Sequence, residues 1–124
     1  MNGWLGKILV VDLTTSSITT EPLDMDIAHQ FVGGRGLGAR LLWDLVGPEV
    51  DPLAPENVLI IATGPMTATG FQTSNRFSVS TKSPQTGTVL DANSGGFWGM
   101  RFKRTGYDAM IIKGRAPKPV YIEI

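Results

Sequence analysis

Three short apolar runs constrain this chain most: ILVV at residues 8–11, VLIIA at 58–62 and AMII at 109–112. Each is dense in β-branched residues and bounded by turn formers, so each reads as a strand of a buried or half-buried sheet. The first lies within KILVVDL (residues 7–13), and the polar turn TTSS then lets residues 18–21 return as the second arm of a hairpin. VLIIA has the character of a central strand. RFSVST (76–81) alternates with Phe77 and Val79 on one face, and SPQTG turns the chain into TVLDA (88–92), predicting a second hairpin. DAMIIKG (108–114) and PVYIEI (119–124) are predicted as the last strands.

Helical signals fall between these runs. Asp24 or Asp26 offers an N-cap for a helix holding Ile27, Ala28, Phe31 and Val32, with Gly33 and Gly34 placed to end it. LGARLLWDLV (37–46) has apolar residues at helical spacing and stops at Gly47 and Pro48. FWGMRFKRT (97–105) predicts a short helix closed by Gly106. The expected fold class is α+β: mostly antiparallel or mixed β-sheet with a few short helices, over residues 1–124 as a single domain or a domain fragment. PVYIEI runs to the last residue, as expected of a domain cut short or of a terminal edge strand. Open edges there would invite self-association, so a homo-oligomer is among the expected assemblies.

Composition removes several classes of function. Eleven basic and 11 acidic residues balance, so bulk charge makes no case for nucleic acid or an anionic membrane surface. No cysteine is present, which excludes disulfides, a thiolate nucleophile and a cysteine-held iron–sulfur cluster within this chain. The apolar run at 8–11 is too short for a signal-peptide core or a membrane span, and a cytoplasmic location is the expectation. His29 is the one histidine, so a Ser–His–Asp set has little support, and metal-ligand spacings are lacking. GRGLGA (34–39) satisfies a dinucleotide fingerprint as a string, but a helix is predicted before it where the fingerprint needs a strand. It reads better as a tight helix–helix connection, from which Arg35 could reach an anion.

The stretch DANSGGFWG (91–99) puts an amide, a hydroxyl and two glycines where a chain normally turns. If the strands after residue 75 and before residue 92 pair as a hairpin, the loops 70–75 and 92–96 meet at one end, with Arg76 beside Asn93. A guanidinium fork, a carboxamide and exposed backbone N–H groups are the parts of a phosphate site. The residues alone leave a second reading open, in which Ser94 caps the following helix and the glycines relieve crowding. A P-loop lysine is missing, so nucleoside triphosphate hydrolysis is not indicated.

In order and spacing, GWLGKILVVDLTT, FVGGRGLGARLL, DPLAPENVLIIATGPMT, RFSVSTKSPQTG and DANSGGFWGMRFKRTGYDAMIIKGRAPKPVYI resemble the amino-terminal domain of the tungsten-containing aldehyde:ferredoxin oxidoreductases. The resemblance implies a β-sheet base on which two pterins lie, in a cytoplasmic enzyme of anaerobes. Such enzymes oxidise aldehydes to carboxylic acids and pass electrons to ferredoxin. The implied cofactors are a tungsten (or molybdenum) bis-pterin, the molybdopterin type of group, with magnesium bridging its phosphates. A [4Fe–4S] iron–sulfur cluster is implied in later domains, together with the catalytic glutamate and histidine. By the same resemblance the cofactor-binding residues are Arg76, Asn93, Ser94, Gly95 and Gly96, with Asn93 near the magnesium and Gly95 lending its backbone. None is a catalytic acid or base. Where many members carry Gly-Gly before the strand arginine, this chain has Ser74 and Asn75.

The resulting expectation is the cofactor-binding base of an oxidoreductase, inactive alone and completed by the remainder of the enzyme in the same or a separate chain. The alternatives are a free-standing anion or cofactor carrier and a structural subunit without catalysis.

Overall fold

The computed structural model describes residues 3–124. The elements run β1 (Lys7–Asp12), β2 (Ser17–Pro22), α1 (Met25–Phe31), α2 (Gly34–Leu45), β3 (Val58–Thr63), β4 (Phe77–Lys82), β5 (Val89–Ser94), α3 (Trp98–Arg104) and β6 (Ala109–Lys113). All the strands join one six-stranded sheet in the order β2-β1-β6-β3-β4-β5. β1 and β6 are parallel and the other neighbours antiparallel, so the expected mixed α+β architecture and both hairpins are present.

Period-2 alternation divides the apolar residues between two faces. Ile8, Val10, Val58, Ile60, Ala62, Ala109 and Ile111 face α1 and α2, where Ala28, Leu37 and Leu42 complete the larger core. Leu9, Val11 and Met110 face the other way onto Phe102 of α3. The central run VLIIA therefore lies between β6 and β4, as its apolarity suggested.

Helix boundaries differ from the local signals in an instructive way. Asp24 caps α1, its Oδ1 accepting the Asp26 and Ile27 N–H groups at 2.8 and 3.4 Å. The helix ends at Phe31, before the glycines. Val32 follows with φ 64° and ψ −64°, and the Gly33 N–H donates to the Phe31 carbonyl at 2.7 Å. This is a tight γ-turn, strained for a β-branched residue. α2 begins at Gly34 rather than Leu37. Gly33 is wanted for packing, because a Cβ there would lie 2.7 Å from the Thr63 carbonyl oxygen and 2.8 Å from Gly64 Cα. Tertiary contact overrides the weak helix propensity of a glycine-rich first turn.

Gly38 does the same further along α2, where a Cβ would collide with Ser80 Oγ and sit 3.1 Å from Ser80 Cβ. Gly38→Ala is expected to lift α2 from β4 and destabilise the fold by ~1–3 kcal/mol. Ser80→Ala should recover part of that loss, since Ser80 Oγ is buried without a hydrogen-bond partner. Urea unfolding of the two single variants and the double variant checks both statements.

Two strand expectations need correction. PVYIEI forms no strand. The prolines at 117 and 119 remove donors a ladder would need. The segment instead lays Ile122 against the second core. The other correction lengthens a strand: β5 runs on through Asn93 and Ser94, so half of the supposed turn is extended and paired to β4. Among the described residues no helix is long and apolar enough to cross a membrane.

Candidate functional site

The register of the second hairpin sets the site. Ser78 opposes Asn93 and Ser80 opposes Asp91, so Asn93 and Asp91 share the sheet face covered by α2. Alternation puts Arg76, just ahead of β4, on that face with Ser78. RFSVST thus buries its serines, both 3% exposed or less, whereas Phe77 and Val79 are only half-buried on the opposite face. Small polar residues there let α2 approach closely.

A cavity of about 510 Å³ opens at this end of the sheet, and both Arg76 and Asn93 line it. Its walls include the start of α2 at Gly33, Gly34 and Arg35, and the loop after β3 at Gly64 and Thr67. That loop is braced from within. Thr67, 1% exposed, accepts the Gly64 N–H at 3.3 Å and donates to the Ser74 carbonyl at 2.9 Å. The chain therefore reaches Arg76 from a constrained turn. Arg76 itself is exposed and makes no ion pair or side-chain hydrogen bond among the described residues.

Asn93 is oriented on both sides. Ser78 Oγ donates to Asn93 Oδ1 at 2.8 Å, and Asn93 Nδ2 donates to Asp91 Oδ2, also at 2.8 Å. The same carboxylate oxygen accepts Arg35 Nε at 2.8 Å. α2 opens with Gly33 as its N-cap and no side-chain cap, so its first N–H groups are left without intrahelical partners at the cavity wall.

The structure brings Arg76 and Asn93 into one cavity but not Ser94, which opposes Phe77 and falls on the other sheet face. Nor does Ser94 cap α3, whose N-cap is Phe97 with no side-chain bond. Gly95 and Gly96 follow as exposed backbone with open space where a Cβ would be. Their contribution to a site would be main-chain. His29 is elsewhere, edge-on to Trp4 at 5.2 Å. Among the described residues no cluster of three or more histidine or carboxylate side chains could hold a metal ion.

Sequence reasoning missed Ser78 and Asp91, and it left Arg35 as a separate weak signal. The alternation of Arg76, Ser78 and Ser80 carried the missing information, since it marks a polar strip on the strand. The partner of Asp91, 56 residues away in Arg35, had no local signature.

Sheet, cavity and donors define an α+β domain with one face opening into a recess that carries two arginines and an asparagine. The chain belongs to the aldehyde ferredoxin oxidoreductase family: residues 8–124 match the model of that family's N-terminal domain. It is 48% identical over 124 residues to the tungsten-containing aldehyde ferredoxin oxidoreductase of Pyrococcus furiosus, covering 100% of this chain and 20% of that protein. It is 45% identical over 124 residues to the protein of the same name from Thermococcus kodakarensis, with the same shares covered. The aliphatic sulfonate oxidoreductase, WOR-like subunit, of P. furiosus is 40% identical over 127 residues, 100% of this chain and 20% of that protein. Among solved structures, the active site complex BamBC of benzoyl coenzyme A reductase with 1,5-dienoyl-CoA superposes with a TM-score of 0.91 at 42% identity, covering 94% of this chain and 18% of that one. The chain spans about a fifth of the length of the curated relatives it matches.

Proposed function

We propose that this chain is the cofactor-binding base of an oxidoreductase that converts aldehydes to carboxylic acids, using a tungsten or molybdenum bis-pterin and ferredoxin as electron acceptor. The observation that carries the reading is Arg76, a guanidinium without an ion-pair partner among the described residues, lining the same cavity as Asn93 and the uncapped start of α2. The names of the relatives supply the tungsten and the reaction class.

The donor set fits a phosphate-bearing group. Arg76 offers a fork matched to phosphate oxygens, α2 offers backbone N–H groups, and the glycines leave the main chain open to close approach. Magnesium would take an oxygen at Asn93 together with phosphate oxygens. A hard ion held mainly by phosphate and water needs few protein ligands, which suits a site without a carboxylate cluster. Gly95 and Gly96 would lend backbone, with Ser94 beside them. When bound, the metal–pterin group supplies the oxygen-transfer and electron chemistry, while these residues bind and orient it. A [4Fe–4S] cluster, the catalytic acid–base groups and the ferredoxin contact would belong to the remainder of the enzyme. This chain, having no cysteine, is expected to be inactive alone.

The test is Arg76→Ala in the complete enzyme, with bound tungsten measured by mass spectrometry and pterin by fluorescence after oxidation. Loss of a charge-assisted phosphate contact is expected to weaken retention by ~1.5–3 kcal/mol, roughly ten- to a hundredfold. Arg76→Lys should fall between, keeping the charge and losing the fork. Unchanged tungsten and pterin in Arg76→Ala would remove the role assigned to this residue.

A further inference from the structure

We infer that Arg35 is a second anion-binding arm of this cavity and that Asp91 is the residue that positions it. The inference rests on the phosphate-site reading above and extends it to two residues which that reading does not use.

Arg35 sits in the first turn of α2 and lines the cavity with Arg76. Its side chain is 73% exposed, whereas that of Asp91 is only 14% exposed. Ion pairs exposed on both sides hold neither partner firmly. Here the carboxylate is fixed in the sheet, and its Oδ2 serves two donors at once, Arg35 Nε and Asn93 Nδ2, each at 2.8 Å. A guanidinium is planar, so anchoring Nε sets the plane of the whole fork. The terminal N–H groups have no other partner among the described residues and remain for a ligand.

The arrangement is not what stability alone would favour. Asp91 Oδ1 is buried without a hydrogen-bond partner, a state that carries a desolvation penalty. A carboxylate beside an anion site also lowers its positive charge: Arg35 and Asp91 cancel, leaving Arg76 as the net cation of the recess. Such a cost is reasonable if orientation matters more than charge. Through one oxygen, Asp91 ties the first turn of α2 to β5 and aims both a guanidinium and a carboxamide. The ligand class that uses two forks and an amide is a phosphate dianion or diphosphate, not a monocarboxylate.

The experiment uses the full-length protein stripped of cofactor and titrates inorganic pyrophosphate by calorimetry, with thermal unfolding as a check on folding. Arg35→Gln is expected to weaken binding about tenfold. Asp91→Asn removes a negative charge and keeps the shape, so a purely electrostatic view predicts tighter binding. Positioning predicts binding several-fold weaker, with the double variant less impaired than the two single losses combined, because Asp91 acts through Arg35 as well as through Asn93. Arg35→Lys should not restore affinity. Tighter binding in Asp91→Asn, additive losses, wild-type affinity in Arg35→Gln, or no pyrophosphate binding by the parent protein would each overturn the inference. The two readings fail separately. Pyrophosphate responses as expected in an enzyme isolated without tungsten or pterin would sink the proposed function alone. Tungsten and pterin present with an indifferent Arg35→Gln would sink this inference alone.

Discussion

Asp108→Ala is expected to cost ~3–5 kcal/mol of stability, the largest loss from any single polar truncation in this domain. The Asp108 and Lys103 side chains are 1% and 5% exposed and meet at 2.7 Å. The carboxylate's second oxygen accepts the Leu5 and Gly6 N–H groups at 2.8 and 2.7 Å. Lys103 Nζ also donates to the Gly64 carbonyl at 3.1 Å, and the Asp108 carbonyl accepts the Thr63 hydroxyl at 2.9 Å. One carboxylate thus joins the chain ahead of β1 to α3, and through Lys103 to the loop that walls the cavity. Removing it would strand a buried ammonium and two amides together. Breaking a buried pair costs far more than the pair contributes relative to apolar replacements, so Lys103→Met/Asp108→Ala is expected to lose less than the two single variants summed. Hydrogen exchange in the complete protein can follow this: the Leu5 and Gly6 amides should lose protection first in Asp108→Ala. Protection unchanged at those amides would show that the network contributes little.

Leu37→Ala is the second large effect, at ~2–5 kcal/mol. Leu37 is fully buried in the core between α2 and the sheet, with Ile60 and Ala62 in the same cluster. Close packing leaves little room for the helix to settle into the space, so both transfer and cavity terms apply. The site should report this loss before the rest of the sheet does. Leu37 seats the first turns of α2, and Gly33, Gly34 and Arg35 line the cavity. Amides in the first half of α2 should therefore be the first to lose protection in Leu37→Ala, with β1 and β6 remaining the better protected elements. Equal protection across all elements would instead indicate that α2 does not open as a separate unit.

Much of the fold was legible because local pattern and tertiary placement agree. ILVV, VLIIA and AMII each carry side chains for two faces, and each became an internal strand of a sheet covered on both sides. Asp24 could be read as an N-cap because capping is a matter of two or three residues. PVYIEI misled for the converse reason: apolarity implies burial, which Ile122 satisfies by packing on the second core without any ladder partner. The glycines after α1 misled too, because helix–sheet clearance at Gly33 is invisible in a one-dimensional string.

The candidate site divides along the same line. Arg76 and Asn93 could be placed together from the hairpin alone, since a period of two and a short loop settle which side chains share an edge. Residue type alone identified them as a guanidinium and a carboxamide. What the residues by themselves determined about this protein is therefore its strands, its second hairpin and the kinds of group at that hairpin's open end. The tertiary structure alone decided that α2 begins over that end, that Arg35 and Asp91 meet across 56 residues, and that Ser94 turns away to the other face. Those outcomes depend on how closely a helix can rest on a sheet, which is settled by packing between segments and not by the preference of either one.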